Sequence, residues 1–288
     1  MTEYMGCKVK RISNKTMIMY QDNLLQKIEK TFGELVKNMQ TYDMPAGTGM
    51  RVMRSKEGLV SKKEQTIYRS GVGMLLFLVK YSRPDLANII RELSRENDGA
   101  TKGHMSMLLH VIKFALDTRN RVLKFELKNE GCEWALKAFC DSDWAGNKNN
   151  RRSITGYCIY FQGCLIAWKS RAQKNVTLSL SKAEYVAVSE ECTEIMFIKM
   201  KLDFLGVEVK RSIQVNCNNV GAIFLSNNAK ASAHTKHIDI HYHFIREHII
   251  DGVVEIVFVR SEENDADIFT KNVGKSIFVK HSKKIHEI

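Results

Sequence analysis

The 288-residue chain contains no run of about 20 consecutive apolar residues, so it has no helical membrane span. Its first residues, from Met1 to Met5, carry neither the basic nor the apolar stretch of a signal peptide. Seven cysteines stand far apart with no C-x-x-C pair among them. That spacing argues against a disulfide framework or a cysteine zinc site, and for reduced, buried thiols in a cytoplasmic or nuclear protein that is not secreted. Internal repeats and low-complexity runs are missing. The N-terminal part also lacks two adjacent aspartates on a hairpin, the arrangement with which a template-copying polymerase holds two metal ions, and no other cluster there offers chemistry.

What is present is an ordinary globular composition with a strong positive excess. Lys and Arg number 44 against 32 Asp and Glu, giving a net charge of +12 and a pI near 9.3. An anionic polymer, nucleic acid first, is the partner such a balance implies, and its rivals are an acidic membrane surface or mere solubility. The length suffices for one large or two ordinary domains.

Residues 1–20 read as a hairpin. Asp22 then caps a helix in which Leu24, Leu25, Ile28, Phe32, Leu35 and Val36 recur at helical spacing. The pattern dissolves into a loop between Tyr42 and Lys63. A helix over Gln65–Val79, a restart at Pro84, a helix from His104 to Leu116 and a strand from Val122 follow, so residues 1–130 form a mainly helical segment. Lys102, His104, Lys113 and Arg119 either follow phosphates or line a solvated helix face.

From Trp134 the pattern changes to strands. Ala135–Cys140 runs into Asp141, Ile154–Phe161 and Cys164–Lys169 complete an antiparallel meander, and a long helix starts at Ser181. Ser181 and Glu184 have capping-box spacing, which gives Glu184 a structural role to weigh against a chemical one. A strand Ile213–Cys217 ending at Asn218, a helix from His234 to Ile250, a strand Val253–Val259 and a helix opening at Asn264 complete 131–273, and 274–288 reads as a basic, fraying tail. This element order is that of the ribonuclease H fold, an α/β mixed five-stranded sheet with helices on both faces. In that fold four acidic positions converge to serve two divalent ions roughly 4 Å apart in phosphodiester displacement.

Five segments carry a closer resemblance: Cys140-Asp141-Ser142-Asp143-Trp144-Ala145-Gly146, Arg151-Arg152-Ser153-Ile154-Thr155-Gly156-Tyr157, Leu180-Ser181-Lys182-Ala183-Glu184-Tyr185, Thr235-Lys236-His237-Ile238-Asp239-Ile240 and Ala266-Asp267-Ile268-Phe269-Thr270-Lys271. They resemble the ribonuclease H domain of copia-type retrotransposon Pol polyproteins. Tyr68 to Gly73 and Ser82 to Asp85 resemble the thumb or connection segment that follows the reverse transcriptase palm, which itself has no counterpart here. The resemblance implies an RNA/DNA hybrid as substrate, Mg2+ with Mn2+ as substitute, a missing palm as partner, and Asp141, Glu184 and Asp267 as metal ligands. The fourth expected carboxylate falls on Asn218, in Cys217-Asn218-Asn219, and its neutrality predicts hydrolysis weakened or lost. The alternatives are a catalytically silent binding module and a decayed fragment of Pol.

Other residues have a bland and a sharp reading. Asp143 is a backup ligand or a turn residue. Arg151 and Arg152 grip a phosphate or are merely solvated. Lys236 and His237 touch substrate, and the resemblance accounts for their segment without the zinc that His234, His237 and His241 would suggest.

Overall fold

A computed structural model describes residues 2–127, 133–227 and 239–287. The chain opens with strands β1 (Thr2–Tyr4), β2 (Cys7–Arg11) and β3 (Thr16–Tyr20). Helices α1 (Asp22–Val36), α2 (Lys62–Tyr81), α3 (Ala87–Ser94) and α4 (Lys102–Asp117) follow, then strand β4 (Val122–Glu126). Next come β5 (Leu136–Asp143), β6 (Ile154–Phe161), β7 (Cys164–Ala172), α5 (Leu180–Phe204), β8 (Ile213–Cys217), α6 (Val220–Asn227), α7 (Asp239–Ile250), β9 (Val254–Phe258) and the single turn α8 (Asp267–Thr270). The chain ends in α9 (Lys275–Ile285) and β10 (His286–Glu287). Two compact units result, Met1–Glu126 with Lys271–Ile288, and Leu127–Thr270. Among the described residues no helix is long and apolar enough to cross a membrane.

In the first unit the expected hairpin is part of a larger antiparallel sheet, ordered β1-β2-β3-β4-β10, beside the expected helices. Helix α1 buries Leu25, Ile28, Phe32 and Val36, the helical stripe visible in the sequence. Helix α2 starts on a capping box in which Ser61 and Glu64 satisfy each other's backbone N–H groups. The fraying tail is not observed. Phe278, His281, Ser282 and Ile285 give α9 a buried stripe at helical spacing, which the interleaved lysines obscure in the sequence, and β10 pairs with β4.

The charged centre of this unit is Asp85, fully buried. Arg83 grips both of its oxygens at 2.9 Å, Arg121 lies 3.5 Å away, and His286 of β10 stands at 3.6 Å. Burial opposes the ionised carboxylate, yet Arg83, His286 and Arg121 outweigh it and hold its pKa well below the usual range. Burial also keeps the His286 imidazole neutral, with its pKa lowered to about 4. Replacing Asp85 by Ala leaves buried guanidinium groups unanswered, and should cost this unit about 3–5 kcal/mol in urea unfolding followed by circular dichroism.

In the second unit the sheet order is β7-β6-β5-β8-β9. β5, β6 and β7 pair antiparallel, whereas β8 is parallel to both β5 and β9. This is the mixed five-stranded architecture expected of a ribonuclease H-like fold. Strand alternation sends Leu136, Ala138 and Cys140 to one face, where they pack with Tyr157, Ile159, Val215 and Cys217 against Tyr185, Val188, Cys192 and Ile195 of α5. Asp141 and its cross-strand partner Gly156 therefore face the other way, towards α8. A Cβ at Gly156 would come within 2.6 Å of the Thr270 side chain and 2.9 Å of Phe269, so only glycine lets α8 seat. Gly156→Ala should cost about 1–3 kcal/mol in thermal unfolding.

Glu191 of α5 is fully buried on the apolar face, and no donor reaches either oxygen with good hydrogen-bond geometry. Burial pushes its carboxyl well above the usual range, and the Cys140 thiol and the Phe139 N–H offset only part of that. In the unfolded chain the same group ionises at about pH 4.3, so between that pH and the raised folded value only the native state keeps the proton. Stability therefore falls as pH rises through that window. Glu191→Met should remove this slope and stabilise the unit by roughly 1–3 kcal/mol, read from unfolding midpoints at a series of pH values.

Candidate active site

The site begins with β5, which runs beyond its expected end at Cys140 through Asp141 to Asp143. Asp141 is 1% exposed. The Thr270 hydroxyl donates to its Oδ2, and the Asn218 amide Nδ2 donates to its Oδ1 at 3.4 Å. The same Asn218 nitrogen donates to Ser261 Oγ at 3.2 Å. Asn218 Oδ1 is a buried acceptor with no hydrogen-bond donor among the described residues.

Three short segments bring these groups together. Asn218 follows the last residue of β8, whose parallel pairing sets Cys217 beside Cys140. Ser261 opens a 3-10 turn after β9, and Asn264 behind it donates to Cys140 O at 2.8 Å, pinning that turn to β5. Asp267, 3% exposed, is the first residue of α8, and its backbone oxygen lies 3.1 Å from the Thr270 hydroxyl.

Glu184 lies in the second turn of α5. The helix is capped two residues earlier than expected, by Ser179, whose hydroxyl accepts from Lys182 N. The Ser181–Glu184 capping box is thus corrected, because the true N3 residue is Lys182. Glu184 is buried, and its charge acts on the Cys140 thiol beside Asp141. Hydrogen bonding to Cys217 is the main reason that the Cys140 thiol titrates higher than usual, ahead of burial. Gln173, 1% exposed, donates to Thr155 Oγ1 at 3.1 Å and Ala183 O at 2.9 Å, tying the start of α5 to β6 and β7.

The remaining residues divide. Asp143 shares the face of Asp141 because the strand continues, and its backbone oxygen accepts from Gly146 N in the following turn. Arg151 and Arg152 are exposed in the loop between β5 and β6. That loop is held by Asn147, whose N–H donates to Arg152 O, and by the Ser153 hydroxyl, which accepts from Ala145 N. Lys236, His237 and His234 lie outside the described residues.

The sequence reading missed Thr270, Ser261 and Gln173. Thr270 had a signal, since it stands one helical turn after Asp267. Ser261 and Gln173 had none, as each is brought in by a neighbouring strand rather than by a motif.

As a metal centre the donor set falls short. Asp141 takes hydrogen bonds from two neutral groups, one of them the amide that stands where a fourth carboxylate is expected. Among the described residues no three His, Cys, Asp or Glu side chains are grouped to hold a metal ion. The residues present do not fit a two-ion carboxylate centre.

No protein-family model matches the chain. It is 31% identical over 284 residues to the retrovirus-related Pol polyprotein from transposon TNT 1-94 of Nicotiana tabacum, covering 96% of this chain and 21% of that protein. It is 33% identical over 222 residues to the corresponding polyprotein from transposon RE1 of Arabidopsis thaliana, covering 77% of this chain and 15% of the relative. Transposon RE2 of the same plant gives 32% over 222 residues. The chain spans about a fifth or less of the length of these relatives. The matches run through both units, and the relatives of this chain are thus copia-type retrovirus-related Pol polyproteins of plant transposons.

Proposed function

We propose that the second unit is a retrotransposon ribonuclease H domain that engages RNA/DNA hybrid and whose metal-dependent hydrolysis of the RNA strand is weakened or lost. The observation that carries this reading is the hydrogen bond from the Asn218 amide to Asp141. Mg2+ is the ion that hard oxygen donors such as Asp141, Glu184 and Asp267 suit, with Mn2+ as a substitute. With an amide in place of the fourth carboxylate, the site loses one negative charge and Asp141 already has a neutral donor.

Substrate contact does not depend on that charge. The net charge of +12 and the exposed Arg151 and Arg152 support binding of a phosphate backbone, whether or not cleavage follows. Shape and the 2'-hydroxyl would distinguish the RNA strand. Lys236 and His237 are proposed as further substrate contacts, and a reverse transcriptase palm as the partner of the first unit. The amide also favours the second reading, a silent hybrid-binding module, over an active nuclease.

Cleavage of a labelled RNA/DNA hybrid in millimolar Mg2+ separates these readings. The natural chain should turn over on the order of 100-fold more slowly than its Asn218→Asp variant, while both bind the hybrid with similar affinity and salt dependence. Equal turnover by the two proteins would remove the proposed role of Asn218.

A further inference from the structure

We infer that the Asn218 amide stands at Asp141 in place of a cation, so that the second unit closes this site and holds its fold without Mg2+. The inference deepens the reading of Asn218 given above and rests on it for the identity of the displaced ion.

A carboxylate that is 1% exposed has to be answered by donors or by positive charge. Asp141 has donors on both oxygens, from Thr270 and from Asn218 Nδ2. The amide nitrogen carries two hydrogens, and the second goes to Ser261 Oγ at 3.2 Å. One planar group thus joins the end of β5 to the turn after β9, and Asn264 repeats the join at Cys140 O. Turning the amide over would set Oδ1 against the carboxylate, lone pair to lone pair.

An aspartate at 218 has no hydrogen to give. Two carboxylates separated by about the same 3.4 Å repel each other unless a proton or a cation lies between them. The closed arrangement would then depend on the ion, whereas with asparagine it does not. The converse follows for binding, because an ion entering here must first displace an N–H that already satisfies Asp141.

Thermal unfolding of the full chain, with EDTA or with millimolar Mg2+, tests this. All three tryptophans, Trp134, Trp144 and Trp168, lie in the second unit, so their fluorescence follows that unit alone. The natural chain should melt at the same temperature in both conditions. Asn218→Asp should melt at least about 4 °C lower in EDTA and recover with Mg2+. Asn218→Ala should melt lower in both and recover in neither. A rise with Mg2+ in the natural chain as large as that of Asn218→Asp overturns the inference, as does an Asn218→Asp protein that melts with the natural chain in EDTA.

Should Asn218→Asp not fold, calorimetric titration of the natural chain with Mg2+ still decides, since saturable binding in the millimolar range would contradict the inference. The functional reading fails separately. An Asn218→Asp protein that gains the Mg2+ response but cleaves no hybrid defeats that reading and leaves this inference standing, and one that cleaves but melts identically with and without Mg2+ does the reverse.

Discussion

The carboxylate of Asp141 is the constraint around which the second unit is arranged, because a charge at the end of a buried strand must be compensated from several directions at once. Compensation arrives from α8 through Thr270 and from the end of β8 through Asn218. Each of those donors is held by something else. Thr270 can approach only because Gly156 presents no Cβ to α8, and Asn218 is aligned by the parallel pairing of Cys217 with Cys140. The geometry at one carboxylate is therefore a readout of sheet register and helix seating together.

Asp85, Asp141 and Glu191, three of the buried carboxyl groups, are handled in three ways. Asp85 keeps its charge because guanidinium groups surround it, which makes the first unit dependent on every member of that network. Asp141 receives hydrogen bonds from neutral donors. Glu191 has no donor of good geometry and is driven to hold its proton. Only the first two are compensated, so Glu191 weakens a core that Tyr185, Val188, Cys192 and Ile195 otherwise pack well. Glu191 stands seven residues, about two helical turns, after Glu184, so α5 carries both buried carboxyl groups on nearly the same face.

Much of the second unit was legible in the sequence. The bounds of β8 were legible because Ile213, Val215 and Cys217 alternate with the polar Gln214 and Asn216, and those of β6 because it is a largely apolar, β-prone run bounded by the Gln162-Gly163 turn. The helical stripe of α1 was legible from the spacing of its apolar residues. What was hidden depended on contacts between distant segments. The C-terminal residues looked like a basic tail because Lys280, Lys283 and Lys284 interrupt the buried stripe of α9, and pairing of β10 with β4 has no local signature. The extension of β5 to Asp143 was missed because Asp and Ser disfavour strands, a preference that pairing with Thr155 and Ile154 overrides. The start of α5 was misplaced by two competing serines, of which Ser179 is the one whose hydroxyl meets an N3 amide.

The frame around Asp141 is held by neutral groups. Asn264, Gln173 and Thr270 are neutral, and their hydrogen bonds to Cys140, Ala183 and Asp141 do not require an ion to be in place. A frame built from such groups keeps its shape when the acidic cluster is diluted, because no member of it is left as an unanswered charge. Had the frame been ionic, as around Asp85, replacing one carboxylate would have stranded its partners and cost the fold itself. With an amide at position 218, the strand end, the turn after β9 and α8 are joined by hydrogen bonds between uncharged donors and their acceptors.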